Sequence, residues 1–225
     1  MSLTPIKTPL FAKKMFPNYI WDISTTEKVI YLTFDDGPTP EITNWTLDVL
    51  KAYNAKATFF CIGNNIEKYP EIFQGIINDG HAIGNHTQNH IKGWKTKAIN
   101  YLKNIEDAQE VINSHLQICD TERSRSAKSV NLFRPPYGQI TPKQGKKLME
   151  LGYKLIMWDV LSFDWDHTIE KENCLENVLT KSTAGSIIVF HDSVKASKNM
   201  QYALPKVLEY FSEQGYCFKA LNPVA

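Results

Sequence analysis

Apolar β-type runs alternate with helix-period segments along almost the whole chain, and no other feature limits the fold so strongly. Strands are expected at 29–34, 56–63, 81–86, 130–136, 153–160, 186–192 and 217–221. Helices are expected at 40–53, 65–79, 95–117, 141–152, 169–183 and 200–213. Local chemistry marks the breaks. Thr39-Pro40 and Thr141-Pro142 each offer a cap followed by a proline at the first helical position, while Gly80 and Gly152 end helices. Such alternation implies a parallel sheet with helices outside, either a barrel or an open doubly wound sheet. In both, ligands bind at the carboxyl ends of the strands. No repeat, low-complexity tract or linker interrupts the 225 residues, so residues 1–225 read as one α/β domain.

The polar residues collect where that architecture puts chemistry. Val29, Ile30, Leu32 and Phe34 form a buried-strand pattern that runs straight into Asp35 and Asp36, then Gly37-Pro38. Adjacent carboxylates repel, and either is costly to bury unpaired. An ordinary Asp-Gly turn would explain them, but His86 and His90 follow the third strand, Arg134 the fourth, Asp164 the fifth and His191 the sixth. Five strand ends aimed at one mouth are hard to obtain by chance.

"HTQNH" (86–90) spaces two imidazoles four residues apart, which on one helical turn suits two ligands of one metal ion. Asp36 is the nearest third, anionic ligand by topology. Two histidines and one carboxylate leave positions open for water and substrate, as in a catalytic site; non-haem iron oxygenases share that set, so it does not define the reaction. The Gly37-Pro38 turn can break strand alternation and let Asp35 act beside Asp36 as a general base. "LFRPPYG" (132–138) offers Arg134 to hold Asp35 ionised and the Tyr137 backbone N–H for an oxyanion; the bland reading is a strand-to-helix loop. In "LSFDW" (161–165) and "IIVFHD" (187–192), Asp164 can orient His191 as a general acid, although each segment alone reads as packing. Asp192 has no role visible at this level beyond support of its loop.

Composition excludes more than it assigns. A hydrophobic fraction of 43%, a charged fraction of 22% and a net charge of +1 describe a globular domain with no field directed at nucleic acid. The basic stretch "TERSRSAKS" (121–129) reads as part of a solvated loop at 118–130. No apolar run is long enough to span a membrane. The N-terminus has no signal-peptide pattern, so a cytoplasmic location is expected unless a leader has been removed. Cys61, Cys119, Cys174 and Cys217 are widely spaced and read as buried thiols rather than a zinc-thiolate or disulfide set. The N-x-T sequons at Asn44 and Asn85 read as chance matches.

Taken in order and at these intervals, "TFDDGP", "HTQNH", "RPPYG", "SFDW" and "VFHD" resemble the five motifs of the polysaccharide deacetylases, carbohydrate esterase family four. The motifs run from 33 to 192 and cover most of the chain. The resemblance implies a distorted (β/α)7 barrel and removal of N-acetyl, or O-acetyl, groups from an acetylated glycan; a monomer is expected. It also implies Asp35 as base and a divalent ion on Asp36, His86 and His90, usually zinc, with cobalt or nickel as substitutes. Arg134 then supports the base, Tyr137 supplies an oxyanion N–H, Asp164 orients the acid His191, and Trp165 lines the pocket. The family often has leucine two residues before the last histidine; here Val189 stands there, and the segment before "NLFRPPYG" is long. Two alternatives stay open: a hydrolase of small non-peptide amides, and a catalytically silent sugar-binding module. Peptidoglycan, chitin and xylan are not distinguished.

Overall fold

The computed structural model describes residues 4–118 and 131–222; Cys119 and residues 119–130 of the expected loop lie outside them. The strands are β1 (Val29–Asp35), β2 (Thr58–Cys61), β3 (Ala82–Asn85), β4 (Leu132–Phe133), β5 (Lys154–Leu155), β6 (Val160–Leu161), β7 (Ile187–His191) and β8 (Cys217–Phe218). The helices are α1 (Leu10–Met15), α2 (Ile42–Ala52), α3 (Gly63–Lys68), α4 (Pro70–Asn78), α5 (Ala98–Ile118), α6 (Pro142–Glu150), α7 (Lys171–Lys181) and α8 (Ser197–Glu213). The sheet order is β5-β4-β3-β2-β1-β7-β6, with β8 paired to the start of β1, and every pairing is parallel. The result is a curled, incompletely closed (β/α)7 barrel.

The period of two in β1 sorts the core from the site. Phe34 faces the helices and stacks on Phe59 and Phe190, with ring centres 5.0 and 6.1 Å away. The next rung, Asp35 with Phe60 and His191, turns inward, because Asp35 pairs in register with both. A slip of one residue would bury the acid among phenylalanines and expose the rings, so the apolar pattern holds the register. Below the site, Phe60, Leu132, Ile156 and Ile187 fill the barrel. Gly84 makes room for that packing: a Cβ there would lie 2.3 Å from the Phe60 ring.

Closure is supplied by a segment the strand pattern did not include. The expected strand 153–160 breaks into β5 and β6, and residues 6–20 bridge the gap. Ile20 N–H donates to Leu155 O (2.8 Å) and Ile20 O accepts from Met157 N–H (2.7 Å). Leu161 N–H donates to Ile6 O (2.8 Å). Buried Asp159 anchors this strap through Lys7 (3.0 Å) and Lys13 (2.6 Å).

Other boundaries shift for local reasons. The expected helix 65–79 divides at Tyr69, since Pro70 lacks an N–H and restricts the residue before it. The fourth strand shrinks to Leu132–Phe133 because Pro135 and Pro136 cannot continue a ladder. Thr39 does not cap α2; its N–H donates instead to Thr43 Oγ1 (2.8 Å), and Glu41 at φ 64° precedes the helix. Thr141 does cap α6, in a reciprocal box with Gln144. Cys61 and Cys174 are buried, but Cys217 is exposed, since in β8 it is Phe218 that turns inward. The Asn85 side chain is wholly buried and donates to Ile105 O (2.9 Å), so that sequon offers no accessible amide.

Candidate active site

A cavity of about 390 Å³ opens at the carboxyl ends of the strands, lined by Asp35, Asp36, His86, His90, Tyr137, Trp165, Val189 and His191 among others. Arg134 and Asp164 sit directly behind it, fully buried. All ten residues singled out in the sequence thus converge on one place.

The two acids separate because the backbone reverses between them. Asp35 closes β1, while Asp36 has φ 83°, a left-handed conformation unusual for a residue with a side chain. Asp36 O accepts from Asn65 Nδ2 (2.7 Å). Asp192 holds both flanks: its N–H donates to Asp35 O (3.1 Å), and its Oδ1 accepts from Gly37 N–H (3.0 Å). Its Oδ2 accepts from Thr43 Oγ1 (2.5 Å). Burial, with Asp36 nearby, pushes the Asp192 carboxyl up to about 8, against the pull of these donors. Nothing in the sequence beyond its place after His191 pointed to this contact.

His86 and His90 do not share a helical turn. "HTQNH" is an irregular loop in which Thr87 (φ 68°) and His90 (φ 53°) are left-handed. The loop still delivers both rings to Asp36: Oδ1 lies 3.8 Å from His86 Nε2 and 3.2 Å from His90 Nε2. His86 Nδ1 lies 2.7 Å from Arg134 O; a carbonyl only accepts, so Nδ1 carries the hydrogen and Nε2 keeps its lone pair for the cavity. Burial lowers the His86 pKa to about 4, so the ring is neutral, as a ligand must be. Burial works to raise Asp36, but His90, His191 and His86 outweigh it and hold the carboxyl well below the usual range. Asp36 Oδ1 is buried and makes no hydrogen bond. One ligand atom from each of Asp36, His86 and His90 lies within 4.8 Å of the others. An unsatisfied anionic oxygen between two imidazoles fits a divalent cation.

Asp35 is held from the opposite side. Arg134 Nη1 donates to Asp35 Oδ1 and to Thr33 Oγ1, both at 2.7 Å. Nη2 donates to Met157 O (2.8 Å) and Nε to Ile156 O (3.3 Å), and the guanidinium carbon lies 4.2 Å from the Phe60 ring centre. A buried cation so fully hydrogen-bonded keeps its charge and faces the Asp35 carboxyl at ion-pair distance. Thr33, which points inward two residues before Asp35, is a member of this network that the motifs did not indicate.

Across the cavity, His191 Nδ1 lies 2.8 Å from Asp164 Oδ1, and His191 N–H donates to Asp164 Oδ2 (2.6 Å). Burial opposes protonation of His191, but Asp164, Asp36 and Asp35 prevail and raise its pKa to about 9. The ring is therefore charged at neutral pH, and Nε2 is left as a proton donor. Trp165 meets it edge-on at 4.8 Å. Leu161, which pairs in register with Val189, and Trp158 complete an apolar wall that the motifs did not define. The Tyr137 ring lies 4.6 Å from that of His90, and its backbone is left-handed (φ 60°) at the cavity edge.

A carboxyl held by an arginine, a candidate cation site and a histidine held by a carboxylate, all around one apolar notch, suit hydrolysis of a small acyl group. The polysaccharide deacetylase family model matches residues 22–156, and the chain belongs to that family. A peptidoglycan-N-acetylglucosamine deacetylase of Bacillus cereus is 32% identical over 217 residues, covering 95% of this chain and 96% of that protein. The peptidoglycan-N-acetylmuramic acid deacetylase PdaC of Bacillus subtilis is 31% identical over 86% of this chain, which spans only 38% of PdaC. A solved peptidoglycan N-acetylglucosamine deacetylase, crystallised with a naphthyl N-oxidanyl-benzamide, superposes with a TM-score of 0.81 and 32% identity over 95% of both chains. A pseudoenzyme, 22% identical, shares the fold with a TM-score of 0.76, so fold alone does not imply activity.

Proposed function

We propose that this chain is a zinc-dependent N-deacetylase of an N-acetylglucosamine-containing glycan, with peptidoglycan the first substrate to test. The observation that carries the reading is the unsatisfied Asp36 Oδ1 between His86 and His90, in the same cavity as the Asp35–Arg134 and Asp164–His191 pairs. When bound by Asp36, His86 and His90, a divalent ion supplies a Lewis acid that lowers the pKa of water and polarises an acyl oxygen. Asp35 takes the proton of the attacking water, and Arg134 holds its carboxyl in place for that task. The backbone N–H of Tyr137 donates to the oxygen that gains charge. The acetyl methyl rests on Val189, Leu161 and Trp165. As the carbon–nitrogen bond breaks, His191 gives its proton to the departing amine, and Asp164 stabilises the ring before and after. A silent sugar-binding module needs none of these pairs, and their retention favours the enzyme. The named relatives make peptidoglycan the first glycan of that panel to assay.

The deciding assay is acetate release from a panel of acetylated glycans, with chelator and with zinc, cobalt or nickel restored. Activity on N-acetylated oligosaccharides that is lost on chelation and regained with metal is expected. Full turnover in protein shown to be metal-free would overturn the reading.

A further inference from the structure

Asp192 carries a fully buried carboxyl group that does not line the cavity, yet it touches the turn on both sides of Asp36. Its N–H binds Asp35 O (3.1 Å) and its Oδ1 binds Gly37 N–H (3.0 Å). Its second oxygen is fixed by Thr43 Oγ1 (2.5 Å), which itself accepts from Thr39 N–H (2.8 Å). Between those clamped groups Asp36 adopts φ 83°. A non-glycine residue at such a φ is strained and persists only when its surroundings enforce it. Position 37 leaves the clamp no slack: a Cβ there would lie 2.0 Å from Asp192 Oδ2. Asp192 is also the residue next to His191, so the element that carries the proton donor also sets the turn that carries the base and the ligand.

We propose that Asp192 is a positioning residue whose carboxyl group holds the 35–37 turn in the conformation that presents Asp36 to the metal and Asp35 to the attacking water. This rests on the reading of Asp36 as a metal ligand. Relaxation of the turn swings Asp36 Oδ1 away from the two imidazoles, so zinc affinity changes before global stability does.

The test uses the full chain and three variants: Asp192→Ala, Asp192→Asn and Gly37→Ala. Zinc affinity is measured by competition with a chromophoric chelator. Melting temperature of the metal-free protein, and kcat and KM for deacetylation, are measured beside it. Asp192→Ala is expected to weaken zinc binding by roughly 10–100-fold, the usual effect of losing a group that orients a ligand. It should lower kcat with KM within about threefold. Gly37→Ala keeps every hydrogen-bonding group but displaces the carboxyl group, and it should weaken zinc in the same way. Asp192→Asn, whose amide oxygen can still accept from Gly37 N–H, should restore most of the affinity. If Asp192→Ala does not fold, the other two variants carry the test. Unchanged zinc affinity with a lowered melting temperature would overturn the proposal and leave Asp192 a packing residue. Asp36→Ala is the control: if it binds zinc as tightly as the parent, the ligand assignment has failed rather than the positioning.

Discussion

Asp35→Asn removes a charge and little else, so it isolates what that charge does. Its partner Arg134 is wholly buried, and Asp35 is its only carboxylate within ion-pair range among the described residues. From the sequence the change reads as mild for stability, because it removes one of two repelling carboxylates, although it leaves Arg134 without its proposed partner. The structure reverses that expectation, because the substitution strands a desolvated guanidinium. Two unit charges in contact at an effective dielectric of about 20 attract by about 4 kcal/mol. The asparagine oxygen can keep one hydrogen bond to Nη1, which recovers about 1 kcal/mol. A net loss of about 3 kcal/mol results, at the lower end of what breaking a buried pair costs. For a domain of this size that is a fall in melting temperature of about 6–12 °C. The turnover rate should fall by at least roughly 10²–10⁴-fold for want of a base, and added zinc should not restore it. Metal content should stay at the parent level, because Asp36, His86 and His90 are untouched. Thermal unfolding, elemental analysis and acetate release on one preparation measure all three. A melting temperature within about 2 °C of the parent would refute the energetic argument. Loss of metal in Asp35→Asn, with retention in Asp36→Ala, would show the two roles reversed.

Three further outcomes are expected. His191→Ala should lower amide turnover by roughly 10²–10⁴-fold with zinc content unchanged, and lower cleavage of an acetyl aryl ester less, because that leaving group needs little protonation; equal losses on both would remove the acid role. The wall of Val189, Leu161 and Trp165 should favour acetyl over propionyl by a modest margin, about 1–3 kcal/mol for the one methylene, and Leu161→Ala should narrow it; faster cleavage of butyryl than acetyl by the parent would refute the wall. His81 is buried, accepts from Ala57 N–H through Nδ1 (3.1 Å), and has its pKa lowered to about 4, first by burial and then by Lys56. The unfolded chain therefore binds this proton first, so its effect is nil above about pH 6.5 and costs up to about 3 kcal/mol as pH falls towards 4. Denaturant titrations at pH 7.5 and pH 5 should show His81→Asn losing less stability over that interval than the parent, and equal losses would count against the shift.

Much of this protein follows from short-range pattern. The alternation of strand and helix periods, the Thr141–Gln144 capping box and the helix break before Pro70 depend on residues within a few positions of one another. So does the convergence of the site, because parallel strands present all their carboxyl ends at one face. Chemistry-bearing residue types at those ends were therefore legible without coordinates. The form of "HTQNH" was not: a spacing of four fits a helical turn, and only the contacts around residues 87–90 select the irregular loop that points both rings at Asp36.

What the tertiary structure decided lies far apart in the chain. Asp192 grips Gly37 across 155 positions, and Arg134 reaches Asp35 across 99. The strap formed by residues 6–20 closes the gap between β5 and β6 through backbone hydrogen bonds that carry no side-chain signature. Leu161 joins the apolar wall of the cavity because it is in register with Val189, a pairing that the seven-strand pattern, with 153–160 as one strand, left unassigned. Sequence sets which groups are present and which end of the sheet they occupy, since periodicity and turn chemistry act locally. Which of two adjacent acids faces the two imidazoles and which meets the arginine depends on one reversed backbone angle, and long-range hydrogen bonds enforce it.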